Sequence, residues 1–490
     1  MNSRSAVWLL LAATLALPAR AAERNAWPFW VGQEDERTGE VTAAQALGPL
    51  LVQRTGEAGA ETQVWRPFFL WQKTAAGEQG HVLYPLLSWQ RTGEHDASFS
   101  LFRLVNSRRT TAADGAATGG FDVWPFYFSR ATGAADTSYR AVFPLSGTIK
   151  HRFGKDELTW RLFPLYAHVT ARGGRETTHA PWPFVRLIDG NGHHGFELWP
   201  LAGSRGREGD YQQQFALWPL LYRQERTRED GVHASVGALP FYTRDTAPGY
   251  RNENYLWPFF GHTERTAPTA QAYRETRYFW PFLVQGRGET RHVNRWAPFY
   301  THSVAKGYEK TWLLWPLYRR GAWQGDGVAQ ERHQFLVFLY WANVQRSLAN
   351  PAAAPAYKKH LWPLVSVWDN GAGRRQLQLL SPLDIFFPHD DPVRQLYTPL
   401  FALYRHDQRA PDDVRWSFLW SAVTRRRTAQ ESEFHLGPLY GAQHTAQGSR
   451  ITLGAGLLSW RRAAGERRWQ FSFFDFSRPN ATPGAAASSP

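Results

Sequence analysis

Nineteen prolines in this 490-residue chain are each followed directly by Phe or Leu, and they recur from Pro28 to Pro438 at a nearly constant interval. Nine also follow Trp: Trp27-Pro28, Trp124-Pro125, Trp182-Pro183, Trp199-Pro200, Trp218-Pro219, Trp257-Pro258, Trp280-Pro281, Trp315-Pro316 and Trp362-Pro363. Copies that have lost the Pro fill the gaps, at Leu101-Phe102, Phe338-Leu339, Phe418-Leu419, Leu457-Leu458 and Phe473-Phe474. The period is near 19 residues, so about 24 units occupy the chain. Fixed-period self-similarity means that one small supersecondary unit is stacked many times. Each unit packs on its neighbours, so such a chain escapes the size limit of a single globular core.

Every unit has the same grammar. A polar stretch rich in Arg, Thr, Gly, Asp and Glu leads into about ten strand-like residues and then a turn. Asp326-Gly327, Asp230-Gly231, Asp189-Gly190 and Asn370-Gly371 are dipeptides that favour tight hairpins. Between turns the period is two. Val414, Trp416 and Phe418 alternate with Arg415, Ser417 and Leu419; Phe434 and Leu436 with His435 and Gly437; Phe196 and Leu198 with Glu197 and Trp199. Successive strand side chains point to opposite faces, so one face is apolar and the other mixed. The reading is all-β, with about 24 antiparallel strands. Proline cannot donate to a ladder and belongs at strand ends or bulges. Pro is therefore expected where each strand leaves the ladder, and neighbouring antiparallel strands would place their Pro-aromatic clusters at alternate ends, in two belts.

The first residues address the chain rather than fold it. Arg4, the apolar run Ala6 to Leu17 and the small-x-small triplet Ala19-Arg20-Ala21 form a secretory signal peptide, residues 1–21. Residues 22–478 read as one repeat-built β domain, and 479–490 as a disordered C-terminal tail. With no Cys there is no disulfide, lipoprotein anchor or thiolate metal site. No later segment is apolar for long enough to form a transmembrane helix. The 56 Lys+Arg outnumber the 42 Asp+Glu by enough for a formal charge of +14, and nearly all of that excess is Arg. Arg binds phosphate, sulfate and carboxylate in a planar fork, so anionic partners are favoured. A high-GC genome and a solvated loop surface account for an Arg excess slightly better than a dedicated anion path does.

A signal peptide, many alternating strands and abundant Trp and Tyr resemble a bacterial outer-membrane β-barrel; the likeness is compositional and covers the mature chain. The Trp-Pro-Leu/Phe repeat also resembles bacterial envelope repeat proteins of uncharacterised function. The resemblance implies one large β-barrel in the outer membrane, with the lipid bilayer as partner and aromatic belts at both interfaces. Its mixed face, carrying Arg103, Arg161, Gln378 and Arg415, would line the lumen and suit an anionic polysaccharide or lipid. The alternative is a soluble periplasmic or surface protein, a β-propeller or closed β-shell, because stretches such as Phe215 to Tyr222 are apolar on both faces. A structural or transport role follows from the first arrangement and glycan binding from the second; a hydrolase on a β-repeat scaffold is the third possibility.

No constellation of residues marks catalysis. There is no Gly-x-Ser-x-Gly elbow, no phosphate-binding Gly loop, no His-Glu-x-x-His and no EF-hand loop. His193-His194 are adjacent and so face opposite ways on a strand, while His389-Asp390-Asp391 reads as a solvated turn between strands. No catalytic residue, cofactor, metal or nucleic-acid partner is assigned. Asn480-Ala481-Thr482 matches a glycosylation acceptor by chance in an exported bacterial-type chain.

Overall fold

The computed structural model describes residues 23–34, 41–56, 59–93, 95–112 and 115–474. The expected signal peptide, residues 1–21, and the expected C-terminal tail, residues 479–490, lie outside the described residues. The chain is all-β: 45 strands in one antiparallel sheet, with a single short α-helix, Asp391–Leu396, and three 3-10 turns among the described residues. In each recorded ladder a strand pairs with the strand before or after it in sequence. No ladder among the described residues joins the first strand, Glu23–Ala26, to the last, Gln470–Phe473, so the sheet does not close on itself. No described helix is long and apolar enough to cross a membrane, which says nothing about strands.

The strand count corrects the sequence reading. Each 19-residue repeat is a hairpin of two strands, four to eight residues long, and not one strand of about ten. The apolar stretch Phe215 to Tyr222 holds the end of one strand, Tyr211–Ala216, a turn, and the start of the next, Leu221–Arg228. The Trp-Pro-Phe/Leu motif is that turn. All nine Trp-Pro peptide bonds are cis.

Two strands per repeat also changes where the motifs fall. Turns of a meander alternate between its two edges, and only every second turn carries the motif. Most of the turns between them are polar. Asp326 and Gly327, at φ 53° and 72°, connect Tyr318–Gly325 to Val328–Phe335 in the two-residue hairpin that the sequence predicts. Each run of strands therefore has one apolar edge and one polar edge, and within a run the expected pair of aromatic belts is a single one.

The chain divides into two compact units, Pro85–Pro351 and Met1–Tyr84 with Ala352–Pro490. The first is an unbroken meander from Leu87–Thr92 to Tyr340–Ser347. Its apolar cluster gathers Phe128, Tyr139, Ala141, Ile149, Trp160 and Ala167. The second unit brings two runs of strands together. The N-terminal strand supplies Glu23 and Asn25 to the C-terminal run: Arg415 and Thr424 donate to the Glu23 carboxylate, and Asn25 donates to the Ser421 carbonyl. Val52, Val64, Leu70 and Leu396 form the apolar cluster of this unit.

Many strands point their polar side inward. Glu197, Ser417 and His435 are buried, while Phe196, Leu198, Phe418 and Leu436, on the alternate face, are exposed. The inward charges are compensated by ladders across the sheet. Buried Glu253 receives Arg251 at 2.6 Å, His262 at 3.2 Å and the Tyr242 hydroxyl at 3.0 Å.

Candidate functional site

Two features stand apart from the repeating scaffold. The first is the apolar edge. The Phe or Leu after most of these prolines projects from the tip of its turn, with Phe29, Phe241 and Leu439 68%, 69% and 68% exposed, and Trp124, Trp257 and Trp315 are exposed beside them. These turns are hydrogen-bonded to one another. In Leu217-Trp218-Pro219-Leu220 the Leu217 and Trp218 amides donate to the Leu201 and Pro200 carbonyls of the preceding apolar turn, both at 2.7 Å. Leu220 donates back to Leu217, and Pro219 has no N–H to satisfy. Leu256-Trp257-Pro258-Phe259 repeats this pattern on Phe241 and Pro240, and Leu314-Trp315-Pro316-Leu317 repeats it on Phe299 and Pro298. Leu217, Leu256 and Leu314 adopt left-handed φ of 47°, 46° and 46°, a costly conformation for Leu, which the two flanking bonds enforce. Proline thus sits at the one tip position where an amide would lack a partner.

The second feature is a cleft of about 620 Å³ in the unit formed by the two chain ends. One wall is the inward face of Trp30–Glu34, Val41–Ala46 and Leu51–Thr55; the other comes from Val365–Asp369, Arg375–Leu379, Tyr404–Ala410 and Asp413–Phe418. Strand register explains which side chains face it. Val52 and Arg54 lie opposite Gln45 and Ala43, and Asp407 lies opposite both Gln376 and Arg415. Arg54, Arg66, Arg374, Arg375, Arg405, Arg409 and Arg415 line the cleft, with Asp407 as the lining carboxylate.

Most of these charges have defined partners. Arg415 is paired with Glu23 at 2.8 Å, Arg405 with Asp407 at 2.7 Å, and Arg409 donates to the Gln33 side chain at 3.2 Å. Arg66 is buried and donates to the Gln395 and Pro49 carbonyls, so its charge has no counter-anion there. Burial, with the charges of Arg54 and Arg405, brings its pKa down to about 9; it remains a cation at neutral pH. Arg54 is accessible to water yet ringed by protein, as the wall of a cleft is, and burial and then Arg405 lower its pKa.

The residues singled out in the sequence are not brought to one place. Arg415 lines the cleft, whereas Gln378 is buried beside it and donates to the Leu380 carbonyl. Arg103 lies in an exposed turn and Arg161, also exposed, donates to Ser146. His193 contacts the Tyr211 hydroxyl at 3.2 Å on strand His193–Leu198, with His194 exposed on the other face. Asp390 corrects the reading of a plain solvated turn: it caps the helix Asp391–Leu396 through the Val393 amide and accepts from Tyr84 at 2.9 Å. His389 precedes that cap and Asp391 pairs with Arg394. Among the described residues no three His, Asp or Glu side chains converge as metal donors. Asn480 lies outside the described residues.

The sequence reading missed Arg54, Arg66, Arg405 and Arg409. The alternation Arg405-x-Asp407-x-Arg409 does put three charges on one strand face. No local pattern connects it to Arg54, more than three hundred residues earlier. No known family model and no curated protein matches the chain.

Proposed function

We propose that the protein is an exported, non-enzymatic scaffold of the bacterial cell envelope. It rests on a bilayer with its Trp-Pro-Phe/Leu turns set into one leaflet, and it serves an anionic envelope component. The observation that carries this reading is the apolar edge, whose exposed tips ride on turns with their amides already hydrogen-bonded to neighbouring turns. Hydrocarbon offers no hydrogen-bond partners, so only a backbone satisfied from within can enter it. Trp at the turns suits the headgroup boundary, and contiguous exposed apolar side chains of this extent mark an interaction surface. The opposite edge, built from turns such as Glu208-Gly209-Asp210 and Glu229-Asp230, belongs in water.

Strand length favours edge insertion over a spanning barrel. At ~3.4 Å per residue, a six-residue strand covers about 20 Å before any tilt. A tilted spanning strand takes roughly 9–11 residues, and the strands here have four to eight.

The test is flotation of the mature chain with phosphatidylethanolamine/phosphatidylglycerol vesicles. The protein should float with the lipid, and its Trp emission should be quenched by lipids brominated near the headgroup more than by those brominated at the chain end. Phe241→Asp with Phe299→Asp should weaken flotation while leaving the circular dichroism unchanged. Protein that stays at the bottom of the gradient would remove the membrane reading. Anion-selective conductance in planar bilayers would favour the spanning barrel instead.

A further inference from the structure

We propose that the Arg-lined cleft is a binding site for an acidic saccharide, a sugar bearing a carboxylate or a phosphate. The inference rests on the reading that the partner is anionic, and it is independent of attachment to a bilayer.

Charge is the first argument. Seven arginines face two carboxylates, Asp407 in the lining and Glu23 behind Arg415. Among the described residues the side chains of Arg54, Arg374 and Arg375 make no hydrogen bond or ion pair, so their donor forks are available to an oxyanion. Arg66 differs, because two backbone carbonyls fix it; it contributes positive field from the floor of the cleft. Burial first, and then the neighbouring cations, lower the pKa values of Arg54 and Arg66, and a bound anion would offset the part that comes from cation repulsion.

Shape and the neutral lining point to a sugar. Trp368 lies opposite Gln376 in the ladder, so its ring is on the cleft face, and it is partly exposed there. An exposed indole offers a flat apolar surface to the C–H face of a pyranose. Thr42, Thr62, Gln376 and Gln408 add hydroxyl and amide groups of the kind that bond to sugar hydroxyls. The volume is in the range of small-molecule sites, far larger than one inorganic anion needs.

The experiment is calorimetric titration of the mature chain, without lipid, with four probes: oligogalacturonate, glucose 1-phosphate, maltotriose and inorganic phosphate. At least one acidic sugar should bind more than about tenfold tighter than maltotriose or inorganic phosphate. Whether oligogalacturonate or glucose 1-phosphate wins tells carboxylate from phosphate recognition. Arg54→Gln should weaken the acidic sugar about tenfold, as expected on losing a charge-assisted hydrogen bond. Trp368→Ala should weaken the sugars and leave inorganic phosphate unchanged. The proposal is overturned if neither acidic sugar saturates, or if inorganic phosphate binds as tightly as the sugars. If an acidic sugar binds but folded Arg54→Gln and Arg375→Gln chains bind it like the parent, the cleft is the wrong site while the anionic-partner reading stands.

Discussion

Glu23 shows how a single side chain closes the unit formed by the two chain ends. Only 2% of it is exposed, and it takes hydrogen bonds from Arg415 and Thr424, nearly four hundred residues away. Burial alone would raise its pKa, but Arg415, with help from His435 and Thr424, brings it down to about 2. A depressed carboxylate contributes stability above its unfolded pKa, near 4.5, and loses it as pH falls toward 2. His360 acts earlier. Burial, then the charge of Lys358, holds its pKa to about 4, so the folded chain resists protonating it, and stability falls between pH 6.5 and 4. Acid titration followed by circular dichroism should therefore show loss beginning below pH 6.5 and continuing below 4.5. Glu23→Gln should remove the lower part of that dependence. It also leaves the largely buried Arg415 without its counter-charge, at a cost of about 3–5 kcal/mol, read as a lower urea midpoint at pH 7.

The hairpin is the element, and Trp has two distinct places in it. Trp160 lies within the strand Lys155–Arg161, buried in the apolar cluster with its indole N–H on the Val142 carbonyl; Trp160→Ala should cost about 3–5 kcal/mol. Trp315 is exposed at a turn tip, so Trp315→Ala should change stability by less than about 1 kcal/mol while weakening vesicle flotation. Paired chemical-denaturation curves separate the two; equal losses would mean that the tips pack as a core. The all-β class, the repeat and the polar Asp-Gly turns were legible in the sequence, because each has a local signature. Strand number was not, since Trp, Leu and Phe in the turn continue the apolar character of the flanking strands and hide the reversal. The role of Pro was half legible: its missing amide pointed to a ladder exit, but the acceptors for its neighbours come from a turn one repeat away. The cleft depends on strands that share no sequence proximity, and nothing short of the fold brings Arg54 near Arg405.

For the molecule as a whole, sequential pairing makes the contacts of Pro85–Pro351 local along the chain. Excision of residues 201–219 removes the strands Ala202–Arg207 and Tyr211–Ala216 and rejoins Pro200 to Leu220, which re-creates a Trp-Pro-Leu turn. The shortened chain should keep its far-UV spectrum and a cooperative melt, as repeat proteins do when a unit is lost. Excision of residues 202–210, a single strand with its polar turn, should instead give aggregated protein. Solubility and melting of the two deletions provide the comparison, and equal behaviour would count against a two-strand unit. The difference is one of parity. Removing an odd number of strands exchanges the two edges for everything downstream, so that Trp and Phe tips emerge where Asp and Gly turns belong. Strand number in this chain is free to drift only in steps of two, and each permitted step changes the apolar border by one tip without altering those already in place.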